Sequence, residues 1–347
     1  MLATELLPKL QSYCAAPQVR GALGLGEHDW QLTFLAQGEY NINYLLDTAA
    51  GCRRVVRVNT GTQIGKPGGA QIAYEAAALR QLAGQAVAPA LVYLDASLAA
   101  LPYGLLVMEY LPGGPLRYDD RAHIRAAAHT LARLHQAPLP PDHPFIVRRP
   151  LIDDLAEAQA WLAPFLACAH APQPVRAIFT TLLEQAALHA AHERAAFPPA
   201  RGLVHTDVQA HNFVVETLDD AGQSVDATRC RLVDWERPLA DDPTYDLAHF
   251  LLPTTTQWKC GYTFSPAERE FFLAEYGAAR SDMQPAELRE RLRLREPFIL
   301  LRAISWCAGA WIEYTGAGRT IANRDTLTRI ELYLQPDYLA ERFAGWL

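Results

Sequence analysis

LVHTDVQAHNFVVE at residues 203–216, followed after a polar insert by CRLVDWERPLADDPTYDL at residues 230–247, decides the reading of this chain. It holds His205, Asp207 and Asn212 in the order H-x-D-x-x-x-x-N, with a second acid, Asp234, at the end of the next apolar run. The short apolar runs at residues 213–215 and 230–233 predict two strands joined by a loop that contains Asp219, Asp220 and Gly222. Such a hairpin carries Asn212 where it begins and Asp234 where it ends, so both can face one ion. An amide oxygen and a carboxylate are hard donors of the kind that hold Mg²⁺. Asp207 is left as a carboxylate able to orient a hydroxyl and accept its proton.

These parts suit phosphoryl transfer, which asks little covalent work of a protein: a carboxylate for the acceptor's proton, and oxygen ligands for Mg²⁺ on the phosphates. The spacing matches the catalytic loop and metal-binding Asp of protein kinases, but the flanks do not. HTDVQAHN, then VDWE, then DDPTYDLAHF resembles the aminoglycoside phosphotransferase and choline kinase family of small-molecule kinases. Asp234-Trp235-Glu236 stands where D-F-G is usual, and no A-P-E follows, which argues against a protein kinase with an activation loop. His-x-Asp alone is common, and Asp-Pro is ordinary turn chemistry. All parts in this order are far less so.

The 347 residues allow two or three domains, and a hydrophobic half of the sequence can fill sizeable cores. The net charge of -7 gives no basic footprint for nucleic acid. Up to Pro115, seven Lys+Arg face eight Asp+Glu, and the remainder holds 24 against 30, so the acidic excess lies in the second part. Six cysteines without C-x-x-C or metal-ligand spacing fit a reduced, cytoplasmic protein. Residues 1–13 lack a basic start before an apolar core, and the longest apolar runs are interrupted, so neither signal peptide nor membrane span is expected. No protein partner is inferred.

Residues 2–13 have helical spacing weakened by Pro8. Residues 30–35 and 43–47 predict strands around Gln37-Gly38-Glu39-Tyr40-Asn41, where a kinase fold puts its phosphate-covering turn. A Gly there lets backbone N–H groups approach phosphate oxygens. One Gly is weak by itself, but the segment resembles the family's G-x-S-N-x-x-Y, with Gly38, Asn41 and Tyr44 matching and Tyr40 where Ser is common. RRVVRVN at 53–59 alternates as a third strand. In the resemblance Arg57 takes the place of the Lys that touches the α- and β-phosphates, a departure familiar among small-molecule kinases. Glu75, on a helix expected at 70–82, is then its ion-pair partner rather than a solvated Glu.

Residues 90–94 and 104–108 complete an expected five-stranded antiparallel sheet, and EYLPGG at 109–114 looks like a hinge. Backbone groups of Glu109 and Leu111 would take the adenine edge. Helices are expected at 123–135, 153–167, 174–194, 245–252, 266–276, 285–295, 297–314 and 324–342, with a loop at 253–259. The elements predict two lobes, a mixed first and a mostly α second, and the resemblance implies an α+β, protein-kinase-like two-lobe fold: a nucleotide-binding N-lobe at 1–109 with an antiparallel sheet and a helix, a hinge at 110–115, and a mostly α C-lobe at 116–347 carrying the catalytic loop and acceptor site.

The resemblance spans roughly residues 32–314 and implies an ATP-dependent small-molecule O-phosphotransferase using Mg²⁺, with GTP left open because backbone hinge contacts read no base. Asp207 is the expected base, and Asn212 and Asp234 the expected metal ligands. A catalytically silent nucleotide-binding module is the rival, disfavoured because the chain keeps all three. On a late helix Trp306 and Glu313 lie seven residues apart and share a face. Together with the acidic run Glu236, Asp241 and Asp242, they suit a cationic hydroxyl acceptor. The plainer alternatives are a core Trp, and an Asp241 or Asp242 that only caps the helix beginning near Thr244.

Overall fold

The computed structural model describes residues 2–62, 64–198, 201–217, 228–280, 282–315 and 324–346. The loop residues Asp219, Asp220 and Gly222 lie outside that set. In chain order the elements are α1 (Leu2–Ala15), α2 (Pro17–Ala22), β1 (Trp30–Gln37), β2 (Asn41–Thr48), β3 (Arg53–Asn59), α3 (Gly69–Gln81), β4 (Leu91–Asp95), β5 (Leu105–Glu109), β6 (Gly114–Pro115) and α4 (Arg121–Gln136). Then come α5 (Pro150–Ala167), α6 (Gln173–Ala190), α7 (Glu193–Ala196), β7 (Gly202–Val204), β8 (Phe213–Thr217), β9 (Thr228–Leu232), β10 (Leu239–Asp241) and α8 (Thr244–Leu251). The chain closes with α9 (Pro253–Cys260), α10 (Pro266–Ala278), α11 (Pro285–Thr315), α12 (Arg324–Tyr333) and α13 (Pro336–Arg342).

They pack into two compact units, Met1–Ile146 with His211–Pro238, and Val147–Ala210 with Leu239–Leu347. The first holds the expected antiparallel sheet in the order β1-β2-β3-β5-β4. Period-two alternation puts Ile42, Tyr44, Leu46, Val56 and Val58 into one core with Leu6 and Leu10 of α1. Burying each such side chain contributes about 1.5 to 3 kcal/mol. That packing carries α1 through its internal Pro8. A second sheet, β6-β8-β9, positions the hairpin. Gly113, at φ +131°, makes it possible, since a Cβ there would overlap the Val215 carbonyl oxygen.

The second unit is helical, with α5, α8 and α11 around a charged centre. Arg295 of α11 is fully buried and donates to Asp154 of α5 (Nε to Oδ2, 3.0 Å) and Asp241 of β10 (Nη2 to Oδ2, 2.7 Å). Its guanidinium sits 5.0 Å from the Tyr245 ring centroid. Burial alone would lower the Arg295 pKa, but the charges of Asp154 and Asp241 outweigh it and raise it well above the usual value.

Three expected elements differ. Pro297 does not divide α11, which runs unbroken from Pro285 to Thr315. An internal Pro costs about 3 kcal/mol, and the buried run Phe298, Ile299, Leu300 and Leu301 directly after it offsets that. Residues 253–260 form α9 rather than a loop: Pro253 starts it, and Gly261 in the left-handed conformation (φ +63°) ends it. The helix expected at 324–342 is two, because Gln335 is extended and Pro336 opens α13. The α+β, protein-kinase-like fold class stands.

Replacing Arg295 by Met should destabilise the protein by about 3 to 5 kcal/mol, because two buried carboxylates lose their cation. Urea unfolding measures it, and adding Asp154→Asn and Asp241→Asn should recover much of the loss.

Candidate functional site

In the first unit the site residues gather around one guanidinium. Arg57 of β3 is 4% exposed, with its Nε 2.7 Å from Glu75 Oε1 on α3 and its Nη2 bonded to Asp234 Oδ1 and 3.7 Å from Glu236 Oε2. The expected Arg57–Glu75 ion pair is present, and its partner set is wider than the sequence suggested. Burial would lower the Arg57 pKa, yet Asp234, Glu75 and Glu236 together raise it. Burial pushes the Glu75 carboxyl up, to about 6, against the pull of Arg57, with the Asp234 charge adding to the rise. Glu75 Oε2 is buried without a hydrogen-bond partner among the described residues.

Asn41 ties the turn at 37–41 to the same cluster. Its Nδ2 donates to Glu236 Oε2 (2.8 Å), and its Oδ1 accepts from Asn59 Nδ2 (3.1 Å). The Gly38 N–H donates to the Asn41 carbonyl at 2.9 Å and closes the turn. Tyr44 lies within the core, where its hydroxyl donates to the Ala3 carbonyl (2.7 Å). Glu236, read from sequence as acceptor-facing, belongs to this cluster, and its carbonyl accepts from Gln71 Nε2 (2.7 Å). Glu109 accepts from Arg231 (2.7 Å), and its N–H donates to the Ala90 carbonyl (2.8 Å); Leu111 is buried.

The hairpin register pairs Phe213 with Leu232, and the Val233 N–H donates to the Asn212 carbonyl at 2.9 Å. Asn212 and Asp234 therefore stand at the same end of β8-β9. Asp234 has φ +68°, uncommon for a side-chain-bearing residue, and 36% of its side chain is exposed. One Arg among Glu75, Asp234 and Glu236 leaves two formal negative charges uncompensated when all three acids are ionised. Two oxygen-donor side chains beside that excess fit Mg²⁺, which binds few protein groups and completes its shell with water and phosphate oxygens. Among the described residues no cluster of three or more His, Cys, Asp or Glu is arranged around a metal position.

In the second unit, Asp207 follows Thr206, whose φ of +73° is an outlier for a β-branched residue. Asp246 of α8 braces that backbone, accepting from the His205 N–H (2.7 Å) and the Thr206 N–H (2.8 Å). Gln209 Nε2 donates to Asp207 Oδ1 at 2.7 Å, and 42% of the Asp207 side chain is exposed. His249 Nε2 faces the same Oδ1 at 4.0 Å. Gln209 and His249 were missed in the sequence, although both stand inside the stretches that gave the resemblance.

A family model described as the phosphotransferase enzyme family matches residues 31–294. The chain belongs to that family. The phosphotransferase's fold is similar to a Plasmodium vivax ethanolamine kinase (16% identity, TM-score 0.65, covering 98% of this chain and 95% of that one) and to a choline/ethanolamine kinase family protein from Mesorhizobium loti (20%, 0.60, 98% of each). It is also similar to an aminoglycoside phosphotransferase in ternary complex with streptomycin and ATP (15%, 0.58, 93% and 98%). No curated protein is similar enough in sequence to be matched. The enzyme is a phosphotransferase acting on hydroxyl groups of small molecules. Among the described residues no helix is long and apolar enough to cross a membrane.

The expected acidic attraction for a cation loses two members in this phosphotransferase. Asp241 and Asp242 are fully buried and paired with Arg295 and Arg291, and Asp242 also caps Thr244 (Oδ1 to N, 2.9 Å). Trp306 is 40% exposed and packs edge-on against Trp258 of α9 (centroids 5.7 Å), with Glu313 two turns further along α11.

Burial lowers the His249 pKa to about 4, the Asp207 charge pulling the other way and Arg302 adding to the fall. A His depressed in the folded state contributes stability above its ordinary pKa of about 6.5 and loses it as pH falls toward 4. The phosphotransferase should lose about 3 kcal/mol from this group across that window, and unfolding of His249→Gln against wild type from pH 7 to 4 isolates the difference.

Proposed function

We propose that the enzyme transfers the γ-phosphoryl group of ATP, taken with Mg²⁺, to a hydroxyl of a small cationic alcohol of the aminoglycoside, choline or amino-alcohol type. The observation that carries this is an exposed Asp207 carboxylate on a backbone pinned by Asp246, five residues before Asn212 in the chain. Asp207 orients the acceptor hydroxyl and takes its proton as the oxygen attacks phosphorus. Asn212 and Asp234 would hold Mg²⁺, which supplies charge neutralisation on the phosphates when bound. Arg57, whose Nε and Nη2 are held by Glu75 and Asp234, would meet the α- and β-phosphate oxygens with its remaining N–H groups. Residues 37–41 cover the phosphates through backbone N–H groups, with Gly38 giving the close approach, Asn41 fixing the turn and Tyr44 supporting it from the core. In this reading 1–109 is the nucleotide lobe and 110–115 the hinge. Because the Glu109 N–H is already taken, its carbonyl and the Leu111 N–H read the adenine edge.

ATP is preferred because the nucleotide named with the streptomycin complex is ATP. A cationic acceptor is favoured by the half-exposed Trp306 ring and Glu313, and by similar folds named for ethanolamine and choline. A ring of this kind contributes about 0.5 to 2 kcal/mol to a cation.

Asp207→Asn should lower turnover about 10²-fold or more while ATP affinity holds; unchanged turnover removes Asp207 from the mechanism. Arg57→Ala should raise the KM for ATP with acceptor KM little altered, and the reverse pattern sinks the phosphate role. A panel of ethanolamine, choline, aminoglycosides and neutral sugars, read by ADP release with Mg-ATP, tests the acceptor. ADP release with sugars alone, or Trp306→Ala with Glu313→Gln leaving acceptor affinity untouched, overturns the cationic assignment.

A further inference from the structure

Helix α8 presents two polar side chains one turn apart, Asp246 and His249, on one face. Asp246 has its task in bracing the backbone of His205 and Thr206. His249 is the other. It is 9% exposed, its Nε2 faces Asp207 Oδ1 at 4.0 Å, and its Nδ1 is buried without a hydrogen-bond partner among the described residues. A buried imidazole with one bare nitrogen and the other turned to a carboxylate has its single proton assigned. Two lone pairs would repel across that gap, so the proton sits on Nε2.

We propose that His249 is a positioning residue for phosphoryl transfer, its Nε2–H facing the Asp207 carboxylate and closing on it when the acceptor binds. This rests on the reading of Asp207 as the group that takes the acceptor's proton. Catalytic hydrogen bonds are often long before substrate arrives and tighten in the complex, and Gln209 already holds Oδ1 from another direction at 2.7 Å. Two donors on the one oxygen restrain where it stands. In the step itself the acceptor oxygen forms a bond to the γ-phosphorus, the bond to the bridging oxygen breaks with its electron pair leaving on ADP, and the hydroxyl proton passes to Asp207. His249 keeps its own proton throughout.

The groups facing the imidazole are Asp207 on the loop, Asp246 on its own helix, His205 after β7 and Arg302 on α11. The two acids favour a charged imidazole, whereas burial, Arg302 and His205 oppose it, and the opposition wins down to about pH 4. At neutral pH the side chain is therefore a neutral donor. A neutral donor favours the ionised form of the carboxylate it faces, so its removal should move the acidic limb of the kcat/KM profile to higher pH.

The experiment compares wild type, His249→Leu, His249→Gln and Asp207→Asn. Kinetics use the panel compound giving fastest ADP release with Mg-ATP, or water if none does, and long-range ¹⁵N NMR of the wild-type imidazole gives its tautomer. We expect the Nε2–H tautomer at pH 7 and a His249 resonance shift in Asp207→Asn. Leu should lower kcat on the order of 10- to 100-fold, as for a displaced reacting group, with KM for ATP unchanged and the acidic limb raised. Gln, whose side-chain amide reaches the Nε2 position, should restore most of it. An Nδ1–H tautomer, a Leu variant with wild-type turnover and pH profile, or losses that Gln leaves uncorrected and that track melting temperature would each overturn the proposal. Should Leu fail to fold, Gln and the tautomer decide it. If Asp207→Asn retains full turnover, the underlying reading of Asp207 has failed; if it loses turnover while the His249 variants do not, only this inference has.

Discussion

A guanidinium taken out of water must be neutralised where it sits, and Arg57 satisfies that condition with Glu75, Asp234 and Glu236. Much of the first unit follows. The sheet must bring β3 beside α3, the hairpin must end close enough for Asp234 to turn inward, and the 37–41 turn must be tied down so that Asn41 can hold Glu236. The cluster is also unbalanced. A single cation among three acids leaves an excess of negative charge when the acids are ionised, and burial drives the Glu75 carboxyl up to about 6, with the Asp234 charge adding to the rise.

The second unit solves a different problem with the same chemistry. Its buried charges are matched, Arg295 to Asp154 and Asp241, Arg291 to Asp242, and they lock α5, β10 and α11 together. Asp242 accepts from the Thr244 N–H where helix α8 begins, so the matched network sets where Asp246 stands. Asp246 in turn holds Thr206 in a conformation its side chain disfavours. The shape of the loop at 205–207 is thus inherited, through Asp246, from the ion pairs of Arg295 and Arg291.

How far this was legible in the sequence depended on whether a signal was local. H-x-D-x-x-x-x-N, the hairpin's apolar runs and the alternation of β3 are short-range patterns, and it was the family resemblance they carry that implied the fold class and the pairing of Arg57 with Glu75. Pro297 misled because a local breaker was weighed without the four buried residues that follow it, whose energy is tertiary. Asp241 and Asp242 misled similarly: their partners, Arg295 and Arg291, lie about fifty residues downstream, beyond any periodicity a sequence displays. Gln209 and His249 stood in plain view, but what distinguishes them is direction, toward Asp207 Oδ1, and direction is not written in spacing alone.

The one-turn separation of Asp246 and His249 has a consequence for how this protein can vary. An α-helix advances about 100° per residue, so inserting or deleting a single residue between them would swing one side chain a quarter-turn or more away while leaving the other in place. Loops elsewhere absorb length changes at little cost, whereas this stretch cannot absorb even one. Drift in the lineage can exchange side chains along α8, but the interval from 246 to 249 is a fixed ruler.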